Sequence, residues 1–597
     1  MTDRSTKISG VEPDEDAAHS GLVHQVATLT RAVFASSAGK SLVLLMITLV
    51  MVVMATAYGQ IRLNRWNKPF YDAMSRRDLR DFLFELGVFF LIAGFLLVVN
   101  VLQRWLVETL ELRLREGLVQ SLLKDWMQPR RAFWLANAGT IGVNPDQRMH
   151  EDARHLAELS ADLGVGLLQA SVLFATFAGV LWGLSSEFSF RIADRDYAIP
   201  GFMLWAAILY ASAGSMMSLF VGRGLVGRNA DRYAREADLR FSLVRVNEHV
   251  DAISLAEGEA DEKRRIELNL KNVLAATRRI VWGHTNLTWV TAGFGWVTIV
   301  APILVAAPLY FMGKISFGGL MMAAGAFTQA QSSLRWFIDN FSAIADWRAT
   351  LLRVASFRQA LISIHEPRSF ESRITYLEGE PGAIGIEDLE IVSSANADRM
   401  KESQVVVRAG ERILVLGAPG TGKTQLFRAL AGLWPWGAGQ ITRPRGEQIV
   451  YLPRGTPYLP RGTLREVLAY PLKPESFAEA AFTRALYRLG VERLARMLDE
   501  THRWDRELSQ DEQLCLVFAR ILIQSPPWVL IDGTFGSLDD DVLEVVMDVF
   551  THELKSTGII HIGGPGEAHP LFSSVLHLVK AKSPPATAAP RERGIRK

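Results

Sequence analysis

The chain has 597 residues, of which 49% are hydrophobic and 21% are charged, and its formal net charge is +2. This charge argues against a global field that attracts nucleic acid, and the length favours two to four domains. The single cysteine, Cys515, excludes an intrachain disulfide and a metal site built from several cysteines.

The first half of the chain is very apolar. Residues 1–34 carry charges where a signal peptide would have its apolar core, so we expect a short cytoplasmic tail there. Beyond it, residues 35–365 contain six segments long enough to cross a bilayer. These predicted spans are residues 41–58, 82–101, 163–184, 199–221, 289–312 and 317–345. The pattern predicts an all-α transmembrane domain of six helices.

Charge placement gives a topology for these spans. The polar stretches 103–162 and 222–285 are rich in arginine and favour helices that extend into the cytoplasm, with both termini inside. The basic loop 61–81 disagrees, because this topology places it outside. The sixth span contains a set of polar residues, namely Gln329, Gln331, Ser332, Ser333 and Arg335. Either these residues line a water-filled substrate path, or the span ends before them and they are cytoplasmic.

A phosphate-binding motif organises the second half. After a predicted linker at 366–383, residues 384–582 have ordinary composition. An apolar strand at 413–416 leads into G-x-x-x-x-G-K-[ST], and a helix is expected over 425–433. Amides of such a loop and helix face phosphates. We expect Lys423 to reach the β- and γ-phosphates and Thr424 to hold Mg²⁺. The predicted ATP-binding residues are Gly417, Ala418, Pro419, Gly420, Thr421, Gly422, Lys423, Thr424 and Gln425.

Two further elements follow in the order expected of such an ATPase. The apolar run 528–531 ends at Asp532, which we predict to hold Mg²⁺ with Thr424. Upstream, LSQDEQ at 508–513 resembles the signature loop of ABC transporter ATPases, with Ser509, Asp511 and Glu512 as predicted nucleotide contacts. The fold class is therefore a multi-domain membrane protein, in which a six-helix domain of exporter-like ABC architecture is fused to an α/β P-loop ATPase domain. Residues 583–597 are predicted to be a disordered tail.

More specific short sequence motifs occur in the membrane half. They are NRWNKPFYDA at 64–73, NPDQR at 144–148, EADLRF at 236–241 and NEHVDAI at 247–253. Together they resemble the SbmA/BacA-related peptide transporters, which are similar to peroxisomal fatty-acyl ABC half-transporters. The resemblance implies a homodimer in the bacterial inner membrane, with ATP held between two cytoplasmic ATPase domains. It also implies uptake of antimicrobial-type peptides and other bulky hydrophilic solutes, with no nucleic-acid partner.

The ATPase half departs from the ABC pattern at its catalytic positions. Gly533 stands where a glutamate would orient the attacking water, and Gly564 stands where the switch histidine is expected. Asp511 replaces the second signature glycine, and Arg454 replaces the glutamine expected after Leu452 and Pro453. We expect binding of ATP with Mg²⁺ and slow hydrolysis. The alternative is a chain altered at Gly533 to trap one state, but several departures together favour natural divergence.

The leading prediction is an ATP-dependent peptide-type ABC transporter. The alternatives are a lipid or fatty-acyl transporter of the same fold, a proton-coupled transporter gated by ATP binding, and a nucleotide-gated membrane regulator that moves no solute. The six long apolar runs argue against a soluble ATPase.

Overall fold

The computed structural model describes residues 22–136, 144–185, 189–192, 195–363, 373–392, 397–567 and 569–581. These residues divide into two compact units, one up to residue 363 and the other from residue 373 onward. Residues 1–21 of the predicted N-terminal tail and the predicted C-terminal tail lie outside the described residues.

The first unit is helical. Its helices are α1 (Leu22–Phe34), α2 (Gly39–Arg76), α3 (Leu79–Trp126), α4 (Arg131–Ala136), α5 (Ala153–Leu184), α6 (Phe202–Glu248), α7 (Val250–Leu255), α8 (Glu259–Phe311), α9 (Phe317–Asp339) and α10 (Phe341–Ser363). A short turn, Pro145–Gln147, and a π-helical turn, Arg148–Asp152, lead into α5. An antiparallel hairpin, β1 (Ser189–Ile192) and β2 (Arg195–Ala198), precedes α6.

Five of the described helices are long and apolar enough to cross a bilayer: α2, α3, α6, α8 and the continuous helix Pro145–Leu184 that contains α5. Exposed apolar side chains such as Leu91 and Val98 fit a surface that faces lipid. The predicted sixth span corresponds to α9, which ends at Asp339 rather than near residue 345. Asn340 is the C-cap of this helix: both its backbone N–H, at 3.0 Å, and its side-chain amide, at 2.9 Å, donate to the carbonyl of Trp336.

Small residues let α9 pack into the centre of the helical unit. Ala323, Ala326 and Ala330 are buried there in a cluster that includes Phe177 of α5. At the start of α9, a Cβ on Gly318 would lie 2.0 Å from the carbonyl oxygen of Lys68 in α2. The two backbones therefore touch at a position that only glycine fits.

Two features of this unit were not expected from the sequence. Residues 22–34, part of the predicted tail, form helix α1 with Leu29 and Val33 buried. Arg148, the last residue of the NPDQR motif, belongs to an ion network. It donates to Asp152 at 2.7 Å, and Arg353 of α10 donates to both oxygens of Asp152 at 3.0–3.2 Å. Because the side chain of Asp152 is only 7% exposed, this network ties the beginning of α5 to α10.

The second unit is an α/β domain. Its strands are β3 (Thr375–Gly379), β4 (Ala383–Val392), β5 (Ala397–Met400), β6 (Gln404–Arg408), β7 (Arg412–Gly417), β8 (Gly437–Pro444), β9 (Ile449–Leu452), β10 (Gly462–Thr463), β11 (Thr501–His502), β12 (Trp528–Asp532), β13 (Gly558–Gly563) and β14 (Ser574–Lys580). Its α-helices are α11 (Lys423–Leu430), α12 (Leu464–Ala469), α13 (Glu479–Arg488), α14 (Trp504–Glu507), α15 (Gln510–Gln524) and α16 (Asp540–His552). Short 3₁₀ helices are Pro474–Ser476, Glu492–Met497, Phe535–Ser537 and Pro565–Glu567.

Within the described residues, ten strands form one sheet in the order β3-β8-β4-β5-β14-β7-β13-β12-β9, with β6 paired to β4. Strands β14, β7, β13, β12 and β9 run parallel. Because β12 and β13 are buried along their whole length, both are mainly apolar; the exceptions are His561 within β13 and Asp532 at the end of β12. Strand β3 lies inside the predicted linker 366–383 and pairs with β8. The linker prediction was therefore wrong for its last residues, since 380–382 form the turn between β3 and β4.

Candidate nucleotide site

The candidate site lies at the carboxyl edge of the parallel strands. Strands β7, β13, β12 and β9 are neighbours in the sheet, so the loops that follow them start along one edge. Ligands of parallel α/β sheets bind at this edge. The P-loop follows β7, Gly564 follows β13, Gly533 follows β12, and Arg454 lies in the loop after β9. The fold therefore brings these positions together although they are distant in the sequence.

The P-loop is a tight cradle of backbone. A Cβ on Gly417 would lie 2.5 Å from the hydroxyl oxygen of Thr421, and Gly420 has a φ of +80°. The hydroxyl of Thr421 donates to the carbonyl of Ala418 at 2.7 Å and closes the loop across Pro419. Glycine at 417 and 420 leaves room for this backbone path, which then enters α11 at Lys423.

The two predicted magnesium ligands are in contact. Thr424 donates its hydroxyl to Asp532 Oδ2 at 3.1 Å, and Asp532 is buried at the end of β12. Lys423 Nζ donates to the carbonyl oxygens of Gly417 at 3.1 Å and Gly563 at 3.4 Å, so its ammonium lies between the P-loop and β13. Gln425 follows in the first turn of α11. Cradle, ammonium, hydroxyl and carboxylate together fit a nucleoside phosphate with Mg²⁺.

A carboxylate that the sequence did not indicate also reaches the cradle. Asp398 of β5 accepts a hydrogen bond from the N–H of Gly422 at 3.0 Å and is 2% exposed. Its other oxygen, Oδ1, is buried without a hydrogen-bond partner among the described residues. This carboxylate therefore competes with phosphate for one amide of the cradle. Only the sheet topology reveals it, because no motif surrounds residue 398.

Gly533 is in a conformation that disfavours any other residue. Its φ is +61°, and its N–H donates to the carbonyl of Ile562 at 2.8 Å. A Cβ there would lie 2.6 Å from Nη2 and 2.7 Å from Nε of Arg454. The position of the missing glutamate is therefore filled by a guanidinium from the loop after β9.

Gly564 directly follows β13, as expected for the position of the missing switch histidine. Its N–H donates to Glu567 Oε1 at 2.9 Å, and Glu567 Oε2 lies 2.7 Å from Nε2 of His561. His561 itself is fully buried and packs against the rings of Phe535 and Phe572. A nearby histidine is thus part of the core and does not replace the missing one.

Glu567 is a charged group that the sequence analysis missed. Burial raises its pKa, but the hydrogen bonds from His561 and from the N–H of Gly564, together with the positive charge of Arg454, lower the pKa by more. The net pKa lies below the usual value for a glutamate. Both carboxylate oxygens are engaged, so Glu567 positions the loop after β13 and does not stand free to orient a water molecule.

The predicted signature contacts form a helix start. Ser509 caps α15 in a reciprocal capping box, in which its hydroxyl accepts from the N–H of Glu512 at 3.3 Å and Glu512 Oε2 accepts from the N–H of Ser509 at 3.1 Å. Glu512 also accepts from Arg493 Nε at 3.0 Å, and Asp511 lies beside it in the first turn. Among the described residues, no hydrogen bond or ion pair joins this helix start to the P-loop. Its contact with nucleotide stays a prediction.

A separate cavity lies in the helical unit. It measures about 330 Å³ and is lined by residues of α2, α8 and α9. Four of its ten lining residues are polar, namely Asn67, Tyr71, Thr298 and Thr328. Asn67 and Tyr71 belong to the NRWNKPFYDA motif at 64–73.

The polar set predicted in the sixth span lies beyond this cavity. Helix α9 runs through all five positions. Gln331 is buried, the hydroxyls of Ser332 and Ser333 donate to the carbonyl of Gln329, and Arg335 pairs with Asp339 at 3.4 Å. None of the five lines the cavity.

Comparison with known proteins agrees with this two-part organisation. The family model described as ABC transporter transmembrane region 2 matches residues 29–311, and the model described as ABC transporter matches residues 400–536. The inner membrane ABC transporter ATP-binding protein YddA of Escherichia coli (strain K12) is 26% identical over 526 residues, which cover 88% of this chain and 91% of that protein. ABC transporter D family member 2, chloroplastic, of Arabidopsis thaliana is 25% identical over 584 residues, which cover 86% of this chain and 79% of the relative.

A solved structure shares the fold. It is that of a bacterial Atm1-family ABC exporter with ATP bound, with a TM-score of 0.66 at 14% sequence identity, covering 87% of this chain and 90% of the other. The predicted fold class is confirmed, because a helical membrane domain precedes a P-loop α/β domain in one chain. The chain is an exporter-type ABC half-transporter, with an ABC transmembrane region fused to an ABC ATP-binding domain.

Proposed function

We propose that the chain works as a homodimer in the bacterial inner membrane and imports peptides and other bulky hydrophilic solutes under the control of ATP. The observation that carries the nucleotide part is the contact of Thr424 with Asp532 beside the P-loop cradle, at 3.1 Å. This pair supplies a hydroxyl and a carboxylate, which are the ligands that magnesium takes in P-loop ATPases. The ATPase domain then lies in the cytoplasm, where ATP is available.

The substrate class is supported by the cavity between α2, α8 and α9. Its amide, phenol and two threonine hydroxyls offer hydrogen bonds to the backbone of a peptide. The hydroxyls of Thr298 and Thr328 already donate to carbonyls of their own helices, at 2.7 and 3.0 Å. An acyl chain would therefore leave only the amide of Asn67 and the phenol of Tyr71 without partners, at a cost of about 1–3 kcal/mol for each unpaired group. The resemblance to SbmA/BacA-related transporters points to the same class. The similarity to an inner membrane ABC transporter protein of Escherichia coli supports the location.

Hydrolysis in this proposal is slow. Gly533 and Gly564 place no carboxylate and no imidazole at the two positions that orient the attacking water. His561 is fully buried, and both oxygens of Glu567 are engaged by His561 and by the N–H of Gly564. Loss of an oriented general base typically lowers the rate by roughly 10²–10⁴. ATP binding, rather than its cleavage, then closes the dimer.

A lipid or fatty-acyl substrate is the second candidate. It is favoured by the similarity to a D family ABC transporter and by the six apolar residues or glycines among the ten that line the cavity. Peptides and acyl chains make opposite demands on Asn67 and Tyr71. Replacing these polar groups with apolar ones should weaken peptide transport and leave acyl-chain transport intact.

The test is uptake by cells that lack other peptide importers. We expect cells with the parent chain to accumulate a labelled basic peptide and cells with Lys423→Ala to lose this uptake. The same substitution at the exposed Lys555, Lys555→Ala, lies outside the site and serves as the matched control, which should keep the uptake. Uptake that persists with a non-hydrolysable ATP analogue in proteoliposomes supports gating by binding. Proteoliposomes that move acyl chains but no peptide would contradict the peptide assignment, and absence of any solute movement would leave a membrane regulator.

A further inference from the structure

The loop after β9 places a positive charge at the centre of the candidate nucleotide site. A Cβ built on Gly533 falls within 3.0 Å of three guanidinium atoms of Arg454, namely Nη2, Nε and Cζ. Gly533 directly follows the predicted magnesium ligand Asp532. The guanidinium therefore lies where an ABC ATPase has the carboxylate that faces the terminal phosphate.

Arg454 is available for a ligand. It is exposed, and it makes no hydrogen bond or ion pair within the part of the chain that the structure describes. The charge of Arg454 helps to lower the pKa of the nearby Glu567, but the two oxygens of Glu567 are bound to His561 and to the N–H of Gly564. An arginine left unpaired beside a phosphate cradle presents up to five N–H donors in a planar fork that matches phosphate oxygens.

We propose that Arg454 is a ligand of the terminal phosphate of ATP, supplied by the same chain that holds the P-loop. It makes the site distinguish ATP from ADP, because only the triphosphate reaches beyond Lys423 towards Gly533. The inference rests on the proposed function, since it requires nucleotide at this site. It goes further by assigning the selectivity for the third phosphate to one residue that the ABC pattern does not contain.

The exchange of a carboxylate for a guanidinium has a clear electrostatic direction. A glutamate at position 533 would repel the terminal phosphate in the bound state and assist only the attack of water on it. A guanidinium attracts the same phosphate and abstracts no proton, because arginine keeps its charge at any pH relevant to proteins. The substitution thus favours retention of intact ATP over its cleavage.

The test is equilibrium binding of ATP and of ADP, each with Mg²⁺, to the full chain in lipid nanodiscs. We expect Arg454→Gln to weaken ATP binding by about 10- to 100-fold, the usual effect of losing hydrogen bonds to a charged group, and to leave ADP binding within about twofold. Arg454→Lys keeps the charge without the planar fork and should give an intermediate loss. Arg461→Gln, which removes an equal charge from the same loop region, is the matched control and should change neither constant.

Three results separate the possibilities. Unchanged ATP binding in Arg454→Gln would overturn the role of Arg454, while loss of all nucleotide binding in Lys423→Ala would leave the proposed function standing. Equal weakening of ATP and ADP would also overturn it, because the contact would then not be with the terminal phosphate. If the parent chain binds neither nucleotide, the proposed function falls and the role of Arg454 falls with it.

Discussion

Restoring the missing glutamate by Gly533→Glu should not by itself restore ATP hydrolysis. Two obstacles are visible at this position. The residue has a φ of +61°, which costs a side chain with a Cβ about 1–2 kcal/mol. The new side chain would also start 2.6 Å from Nη2 of Arg454, so its carboxylate would pair with the guanidinium rather than with water. Such a charge-assisted pair is worth about 1.5–3 kcal/mol and must break before the carboxylate can act.

The magnitudes decide the outcome. The two costs sum to about 2.5–5 kcal/mol, which is about two to four powers of ten in rate. This offsets the roughly 10²–10⁴ that a restored general base supplies. The double variant Arg454→Gln with Gly533→Glu removes the pairing term and keeps only the backbone strain. We therefore expect little change in the single variant and a gain of roughly tenfold or more in the double variant.

The assay is phosphate release from MgATP by the full chain in nanodiscs, with Lys423→Ala added to each variant as the background. An equal gain in the single and double variants would show that Arg454 does not compete for the carboxylate. No gain in either would show that the absence of a carboxylate at position 533 is not what limits the rate of hydrolysis. Brisk turnover by the parent chain would contradict slow hydrolysis altogether.

Three further predictions concern other parts of the molecule. Asp152→Asn should lower the free energy of unfolding by about 2–3 kcal/mol. This is below the range for a fully buried ion pair, because Arg353 is 39% exposed. Thermal unfolding in detergent checks it, and Glu158→Gln in an exposed pair is the control, with an expected loss of about 0.5 kcal/mol or less. Burial raises the pKa of Cys515 to about 11 from 9.0, so a maleimide should label the native thiol about 100-fold more slowly than the unfolded one at pH 8, and rapid native labelling would refute this. Folding lowers the pKa of Glu567, so its ionised carboxylate stabilises the fold above pH 4.5, and this contribution is lost as the pH falls through the lower folded pKa. The difference in unfolding free energy between the parent and Glu567→Gln should therefore shrink on acidification. A constant difference would contradict this prediction.

Much of the fold was predictable because its signals are local. The apolar runs at 413–416 and 528–531 correspond to β7 and β12 within one residue at each end. Buried parallel strands must be apolar on both faces, and this requirement marks them without knowledge of their partners. The P-loop spacing was equally informative, since strand, glycines and helix follow one another in the chain. The linker predicted at 366–383 was wrong from β3 onward because a turn between two strands uses the same residue types as a linker.

The rest of the site depends on distant pairings that no local pattern contains. Asp398 reaches Gly422 only because β5 lies beside β4 and β14 in the sheet. Arg454 could be recognised in the sequence as a departure from a motif, but its position over Gly533 follows from the adjacency of β9 and β12. Glu567 had no signal at all, since a single acid in a loop is usually solvated. Side-chain proximity across a sheet edge is set by strand order, which sequence periodicity does not encode.

In the proposed nucleotide site, the replacements around the terminal phosphate would act in one direction and constrain the energy source for transport. Gly533 and Gly564 would remove groups that serve cleavage, whereas Arg454 would add a charge that serves binding. A ligand that only binds shifts an equilibrium between conformations by its differential affinity and returns that free energy when it dissociates. A homodimer that holds ATP without cleaving it therefore cannot drive a solute uphill with ATP. In that case accumulation of peptide requires a second source, such as a proton gradient. Peptide accumulation in proteoliposomes that contain ATP but have no ion gradient would show that cleavage is faster than this site allows.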